Sequence, residues 1–292
     1  MGKVAFVFPG QGSQKVGMGR EAFDASDAAR AVFEEADSAL GEALSELCFE
    51  GPEDDLKLTA NTQPAVLATS IAVLRALDAP FDVVAGHSLG EYSAHVAAGT
   101  LELADAVRLV RKRGQYMQEA VPYGEGAMAA VLKADRALVE RICGEVPGLV
   151  EAVNYNSPHQ IVIAGETAAV GEAGVKLKEA GARASTLPVS APFHSTLMQP
   201  AEARLREDID RIAFSDPRVP VYVNVDAAPV TGAAAAKDAL VRQVSRPVLW
   251  EQSVRTMIDD GVSLFVEVGP GRVLSGLLAR IDKRAGRVSV QG

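Results

Sequence analysis

The stretch DVVAGHSLGEYSAHVAA, residues 82–98, joins a short apolar run to a helical pattern through GHSLG at 86–90. These five residues fit GxSxG, and a strand, a sharp turn and a helix in this order make a nucleophile elbow. The glycines remove Cβ atoms where the chain turns tightly, and the N-terminus of the following helix favours developing negative charge. The stretch therefore predicts Ser88 as a nucleophile. An ordinary βα turn is the alternative, and the strand and helix on either side favour the nucleophile.

Similar apolar runs occur elsewhere in the chain, at 4–8, 219–223 and 263–268, with longer helical patterns between them. Continuous apolar strands that alternate with helices are typical of a parallel sheet covered on both faces. Together with the elbow, they predict an α/β fold whose larger domain is α/β-hydrolase-like.

The pattern changes between 124 and 188, where short strands and helices alternate more closely. The predicted elements are strands at 127–132, 149–155, 160–164 and 183–187, with helices at 135–145 and 167–180. Their order is the split unit of ferredoxin-like domains, and PYGEG at 122–126 is typical of a hinge. We therefore predict a large catalytic domain of residues 1–123 and 189–292, and a small ferredoxin-like subdomain of residues 124–188.

The composition limits the partners and the location of the protein. The 292 residues are 48% hydrophobic and 23% charged, which is typical of a folded globular chain. A net charge of −9 argues against a nucleic-acid or anionic-membrane partner. No apolar run has transmembrane length, no export signal is found, and only Cys48 and Cys143 are cysteines, so we expect a cytoplasmic protein. No heptad pattern is visible, so we expect a monomer.

A serine nucleophile needs a base, and four histidines are available. His87 and His95 belong to the elbow segment, and His159 lies in an NSP turn. His194 lies in a proline-containing loop, 190–195, that returns from the small subdomain and follows the serine in the chain, as the base does in hydrolases. We therefore predict His194 as the base.

A glycine-rich loop, GQGSQ at 10–14, follows the first predicted strand. In a parallel sheet this loop lies at the carboxyl edge, beside the elbow. The N–H groups of Gln11 and Leu89 are therefore predicted to form an oxyanion hole. A phosphate cradle is the alternative, but the loop lacks both the Lys-Ser/Thr of a P-loop and GxGxxG spacing.

A predicted helix at 105–120 places a cation on its apolar stripe. Ala106, Val110, Arg113 and Met117 fall on one face, so the Arg113 guanidinium faces the core and needs a partner. A bidentate clamp for a substrate carboxylate is the functional interpretation. An internal salt bridge and a snorkelling side chain remain open as alternatives.

The motifs together resemble the malonyl-CoA:acyl carrier protein transacylase family over essentially the whole chain. They are GQGSQ (10–14), GHSLG (86–90), RGQYMQ (113–118), NYNSP (154–158), APFHS (191–195) and EVGPG (267–271). The resemblance implies that Ser88 takes malonyl from CoA and that His194 relays the proton. It also implies that Gln11 and Leu89 form the oxyanion hole and that Arg113 holds the free carboxylate.

The resemblance has further implications for the site and its partners. It implies that a backbone carbonyl, that of Gln243, orients the histidine, and that Phe193 crowds out an α-methyl group and so favours malonyl over methylmalonyl. The substrates are then malonyl-CoA and holo acyl carrier protein, with no metal and no bound cofactor. Five basic residues between 272 and 287 are a candidate carrier surface, and a solvated basic tail is the alternative.

Two other functions share parts of this pattern. A serine hydrolase or thioesterase would use the same elbow and base, but it would release a free acid. A non-catalytic module that binds acyl thioesters would use Ser88 only as a turn residue.

Overall fold

The structure is a computed structural model that describes residues 2–189 and 191–292, so Met1 and Ser190, the first residue of the predicted histidine loop, lie outside the described residues. Within the described residues there are ten strands: β1 (Lys3–Phe8), β2 (Val83–Gly86), β3 (Gly126–Leu132), β4 (Val150–Ser157), β5 (Gln160–Glu166), β6 (Arg183–Thr186), β7 (Val221–Val223), β8 (Ala228–Val230), β9 (Val262–Val268) and β10 (Gly286–Val290).

The helices account for most of the remaining described chain. They are α1 (Arg20–Ala25), α2 (Asp27–Leu40), α3 (Leu44–Glu50), α4 (Glu53–Lys57), α5 (Thr59–Leu77), α6 (Gly90–Ala97), α7 (Leu103–Glu119), α8 (Arg136–Glu145), α9 (Thr167–Glu179), α10 (Gln199–Asp210), α11 (Ala233–Arg242), α12 (Trp250–Asp259) and α13 (Val273–Ile281).

Six strands form the larger sheet in the order β10-β9-β1-β2-β7-β8. The pairs from β10 to β7 are parallel, and β8 runs antiparallel to β7 at the edge. In β1, Phe6 and Phe8 belong to the core formed with α2, α5 and α7, whereas Ala5 and Val7 belong to the core formed with α12 and α13. The strand is thus covered on both faces, and the predicted parallel sheet is confirmed.

The other four strands form an antiparallel sheet in the order β4-β5-β3-β6. Helices α8 and α9 cover one face, where Ile142 and Leu177 are buried. The opposite face carries Val153 and Val162, against which Phe193 packs. The chain order of these elements, strand-helix-strand-strand-helix-strand, is the order predicted from the sequence.

Backbone hydrogen bonds join the edge of this smaller sheet to the larger part of the chain. The Val248 N–H donates to the Val153 carbonyl (2.8 Å), and the Tyr155 N–H donates to the Val248 carbonyl (2.9 Å). The next residue, Leu249, donates to the carbonyl of Asn224 (2.9 Å), which directly follows β7. Residues 248 and 249 therefore connect β4 with the end of β7.

The segment 122–126, predicted to be a hinge, is a hydrogen-bonded turn. Its Glu125 N–H donates to the Pro122 carbonyl (3.1 Å), and the Glu125 carbonyl accepts from the Thr167 N–H (2.9 Å) at the start of α9. The Thr167 hydroxyl also donates to the Gly124 carbonyl (2.8 Å). Hinge motion here stays a prediction.

The C-terminal region contains two elements that were not predicted from the sequence. Much of the basic segment 272–287 is helix α13, and β10 begins at Gly286 and extends the large sheet next to β9. β10 escaped prediction because it is an edge strand with exposed side chains, among them Val288. Its sequence, GRVSV, therefore lacks the continuous apolar run of a central strand.

Candidate active site

The chain turns sharply between β2 and α6, at the predicted elbow. Ser88 has φ 52°, a left-handed conformation that is uncommon for a residue with a side chain. A Cβ on Gly86 would lie 1.9 Å from the Gly90 carbonyl carbon, and one on Gly90 would lie 2.0 Å from the Phe8 carbonyl oxygen. Both glycines are therefore required because strand, turn and helix pack backbone against backbone.

His194 contacts both the serine hydroxyl and a backbone carbonyl. Its Nε2 lies 2.7 Å from Ser88 Oγ, and its Nδ1 lies 2.8 Å from the carbonyl oxygen of Gln243. Because a carbonyl only accepts hydrogen bonds, Nδ1 carries the proton and Nε2 is free to accept the proton of Ser88. Burial, with a contribution from nearby Arg113, lowers the pKa of His194 to about 3, so the imidazole is neutral at physiological pH.

Arg113 is buried on α7, with 2% of the residue exposed, and its guanidinium contacts uncharged groups. It donates to Gln63 Oε1 (2.8 Å), to Gln243 Oε1 (2.9 Å) and to Ser88 Oγ (3.2 Å). The three stripe residues predicted with it are also buried, as the helical spacing requires. Within the described residues no carboxylate hydrogen-bonds to this guanidinium, although the buried Glu91 carboxylate acts on it electrostatically, so a bound anion would be its directly bonded counter-ion.

Gln243 contacts three of the other groups through separate atoms. Its backbone carbonyl accepts from His194, its side-chain oxygen accepts from Arg113, and its side-chain nitrogen donates to the Ser88 carbonyl (3.0 Å). The sequence predicted a role only for the carbonyl of this residue. The amide side chain adds a fixed link between Arg113 and the elbow.

The glycine-rich loop lies against the elbow, as expected for the carboxyl edge of the sheet. A Cβ on Gly10 would lie 2.5 Å from the His87 carbonyl oxygen. The Gln11 side chain donates to Thr59 Oγ1 (3.2 Å). Within the described chain, neither the Gln11 N–H nor the Leu89 N–H donates a hydrogen bond, and their role as an oxyanion hole stays a prediction.

Phe193 directly precedes His194 and is half-buried. It packs against the inner face of the smaller sheet and also against the main core of the larger part. Its ring therefore lies at the junction of the two sheets, next to the candidate base.

The other three histidines have different surroundings. His87 Nε2 lies 2.7 Å from Asn156 Oδ1 of the NYNSP motif, and burial lowers the pKa of its ring. His95 is fully buried on α6, and burial lowers its pKa to about 3. His159 is exposed in the turn between β4 and β5, where it was predicted. Of the four rings, only that of His194 bonds the Ser88 hydroxyl.

Three polar residues around the site were not predicted. Asn224 accepts the Ser88 N–H (2.7 Å) and donates to the Gly86 carbonyl (2.7 Å), and Glu91 Oε2 accepts the Asn224 N–H (2.7 Å). Gln63 is the buried partner of Arg113 already described.

A sequence signal exists for each of these residues. Asn224 directly follows β7, at the same sheet edge as the elbow, and Gln63 directly precedes the apolar run of α5. Glu91 lies in the helix that follows the elbow, and a charged residue on this otherwise apolar segment is its signal.

The cysteines are poor alternative nucleophiles. Cys48 and Cys143 are both free and buried, and burial raises the pKa of each thiol to about 12, so neither is a thiolate at neutral pH. No group of three or more His, Cys, Asp or Glu suited to a metal ion is found among residues 2–189 and 191–292. Across the same residues, none of the helices combines the length and apolar character needed to cross a bilayer.

Comparison with known proteins gives matches over almost the whole chain. The acyl transferase domain family matches residues 5–287. The malonyl CoA-acyl carrier protein transacylase of Bacillus subtilis is 48% identical over 297 residues, an alignment that covers 99% of this chain and 94% of the Bacillus protein.

Solved structures agree with this match. The crystal structure of an acyl carrier protein S-malonyltransferase from Vibrio cholerae superposes with a TM-score of 0.97 and 45% identity, covering 99% of this chain and 97% of that one. A malonyl-transacylase solved in complex with its type II PKS acyl-carrier protein superposes with a TM-score of 0.96 and 45% identity, covering 99% of this chain and 96% of that one.

Proposed function

Because this chain belongs to the acyl transferase family, we propose that it transfers the malonyl group of malonyl-CoA to the phosphopantetheine thiol of holo acyl carrier protein. The transfer proceeds through a malonyl-serine intermediate in a ping-pong cycle. The observation that carries the proposal is the convergence on Ser88 Oγ of His194 Nε2 at 2.7 Å and Arg113 at 3.2 Å, which puts a nucleophile, a base and a buried cation within reach of one small substrate.

The first half-reaction is acylation of Ser88. His194 Nε2 takes the hydroxyl proton while Oγ attacks the thioester carbonyl, and the N–H groups of Gln11 and Leu89 stabilise the oxyanion that develops. Collapse of the intermediate breaks the C–S bond, and the leaving CoA sulfur takes the proton back from His194. The backbone carbonyl of Gln243 orients the imidazole, so the pair acts as a dyad without a buried carboxylate.

The second half-reaction reverses these roles. The pantetheine thiol of the carrier gives its proton to His194 and attacks the serine ester, and Ser88 Oγ leaves and recovers that proton. Arg113 holds the free malonyl carboxylate through both steps, since its fork-shaped donors match a carboxylate. Phe193, at the junction of the sheets, leaves little room for an α-methyl group and so favours malonyl over methylmalonyl.

The finer description of the fold belongs to the same proposal. We propose an α/β-hydrolase-like domain of residues 1–123 and 189–292 and a ferredoxin-like subdomain of residues 124–188, supported by the parallel sheet and by the β4-β5-β3-β6 order. We also propose that the reaction uses no metal and no bound cofactor and that the enzyme is a cytoplasmic monomer. The two free buried cysteines fit a reducing compartment.

A stable acyl-enzyme distinguishes transfer from hydrolysis. When the protein is incubated with malonyl-CoA alone, we expect one malonyl group on the tryptic peptide 76–108, with fragment ions that place it on Ser88. Mass spectrometry detects this ester, and a thiol-trapping assay follows the release of CoA. Continuous release of malonate with no ester would instead identify a serine hydrolase or thioesterase.

The carrier is expected to be acidic and this chain is also acidic, so docking needs a local basic surface. Arg280 and Arg284 lie on or just after α13, and the side chain of Arg284 is 92% exposed. Arg280 donates to Gln160 of β5, so this surface spans both sheets.

Charge reversal tests this surface. We expect Arg280→Glu and Arg284→Glu to raise the KM for the carrier roughly threefold to tenfold and to weaken the dependence of this KM on salt. The reason is that charges at the edge of an interface act mainly on the rate at which the two proteins associate. Arg211→Glu, at the end of α10, is the matched control, with a side chain 74% exposed. Steady-state kinetics at two ionic strengths measure the effect, and unchanged kinetics would remove this surface from the proposal.

A further inference from the structure

We propose that Glu91 is a positioning residue for the transfer reaction: it holds Asn224, and Asn224 holds Ser88 in the conformation that attacks the thioester. The inference rests on the proposed function, because it assumes that Ser88 is the nucleophile.

The side chain of Asn224 forms hydrogen bonds with the main chain on both sides of the elbow. Asn224 is fully buried, its Oδ1 accepts the Ser88 N–H (2.7 Å), and its Nδ2 donates to the Gly86 carbonyl (2.7 Å). The residues before and after His87 are therefore held by the same amide group. Any rotation of that amide would release the main chain on both sides of the turn.

Ser88 needs such a restraint because of its backbone conformation. A left-handed conformation is unfavourable for a residue with a side chain, so surrounding bonds must stabilise it. Its carbonyl accepts from the Glu91 N–H (3.0 Å) and from the Gln243 side chain (3.0 Å). Its N–H is bonded only through Asn224 within the described chain.

Glu91 in turn fixes the main chain of Asn224. It reaches from the first turn of α6 to the end of β7, and its Oε2 accepts the Asn224 N–H at 2.7 Å. The Asn224 carbonyl accepts from Leu249, so the peptide groups on both sides of this residue are bonded. Without Glu91, the buried Asn224 N–H would lose its acceptor. The main chain of Asn224 would then be less firmly positioned, and so would the side chain that it carries.

The Glu91 carboxylate is fully buried. Burial of a charged group is energetically unfavourable, and an apolar side chain at this position would avoid that cost. Burial raises the pKa of Glu91 to about 7, so an uncharged form already occurs near neutral pH. To hold the Asn224 N–H, this position needs an oxygen acceptor and not a full charge. Glutamine supplies that oxygen with nearly the same volume.

The experiment compares Glu91→Ala, Glu91→Gln and Asn224→Ala in malonyl transfer from malonyl-CoA to the carrier. We expect Glu91→Ala and Asn224→Ala to lower kcat roughly 10- to 100-fold with KM changed less than about threefold, because misorientation acts on the reacting geometry and not on substrate binding. Glu91→Gln should recover kcat to within about threefold of the wild-type protein.

Ser93→Ala is the matched control, since Ser93 is equally buried on α6, and it should transfer malonyl at the wild-type rate. Thermal unfolding reports whether each variant is folded. A folded Glu91→Ala protein with wild-type kcat would overturn the inference, as would a Glu91→Gln protein as slow as Glu91→Ala. If Glu91→Ala does not fold, Asn224→Ala decides, and if neither folds the two residues are structural and the inference is wrong.

These outcomes are separate from a failure of the proposed function. If the wild-type protein takes no malonyl group on Ser88, the transferase proposal fails before any variant is compared. If the wild-type protein is acylated normally and Glu91→Ala matches it, only the role of Glu91 fails.

Discussion

Ser88→Ala is expected to abolish the malonyl ester on peptide 76–108 and to lower transfer to the carrier on the order of 10⁴-fold or more, as removal of a covalent nucleophile does. The hydroxyl is the only part of the residue that the substitution removes. Alanine keeps a Cβ at the φ of 52°, so the strain of the elbow is unchanged and the melting temperature should move little. Rapid-quench labelling with malonyl-CoA and intact-protein mass spectrometry measure the loss.

The chain offers a control within the same peptide. Ser93→Ala removes a second serine of peptide 76–108 and should leave labelling intact. If Ser88→Ala still carried malonyl to the carrier at a rate near that of the wild type, Ser88 would be a turn residue. The non-catalytic binding module would then be the better description.

Arg113→Ala is expected to lower malonyl transfer roughly 10- to 100-fold while acetyl transfer falls less or rises. A hydrogen bond to a charged group contributes about 1.5–3 kcal/mol. The acetyl group has no carboxylate, so it makes no such bond with Arg113 and loses none when the arginine is removed. The substitution also leaves the side-chain oxygens of Gln63 and Gln243 without their donor, so some loss of stability accompanies it. The measurement is kcat/KM for malonyl-CoA and acetyl-CoA in parallel.

Two further variants distinguish the loss of carboxylate binding from a loss of stability. Arg108→Ala removes an arginine from the same helix whose side chain is 53% exposed, and it should change neither substrate. Arg113→Lys keeps a charge but loses the planar fork, so it should recover only part of the malonyl rate. Equal losses for malonyl and acetyl in Arg113→Ala would count against a carboxylate clamp.

Central elements of the fold were predictable from sequence because their burial leaves a plain pattern. β1 is apolar from Val4 to Phe8 and β9 is mostly apolar, and the strand-helix order from β3 to β6 follows from short periodic segments separated by turns. The edge strands β8 and β10 were not predictable, since their half-exposed residues carry no such run. Only their pairing with β7 and β9, set by the tertiary fold, makes them strands.

The candidate site shows the same division. Ser88, His194 and Arg113 could be identified because their residue types are unusual in their local contexts: an elbow, a proline-containing loop and an apolar helix stripe. For Asn224 and Glu91 the local sequence marks an unusual position, but their roles depend on a contact between residues 133 positions apart, and no local pattern shows which partner each one meets. The side chain of Gln243 was missed for a related reason, since one of its two bonds is made with Arg113 on α7 and the other with the Ser88 carbonyl at the elbow, both distant in the chain.

The two hydrogen bonds between Val248 and β4 bear on how this protein can be recombined with its relatives. Strand β4 takes part of its edge pairing from a residue that lies some ninety positions later in the chain. A graft that exchanges only residues 124–188 would set a foreign strand edge against the original Val248. A transplant designed to keep the donor's interface intact should therefore include the segment around Val248 and Leu249 along with the insertion.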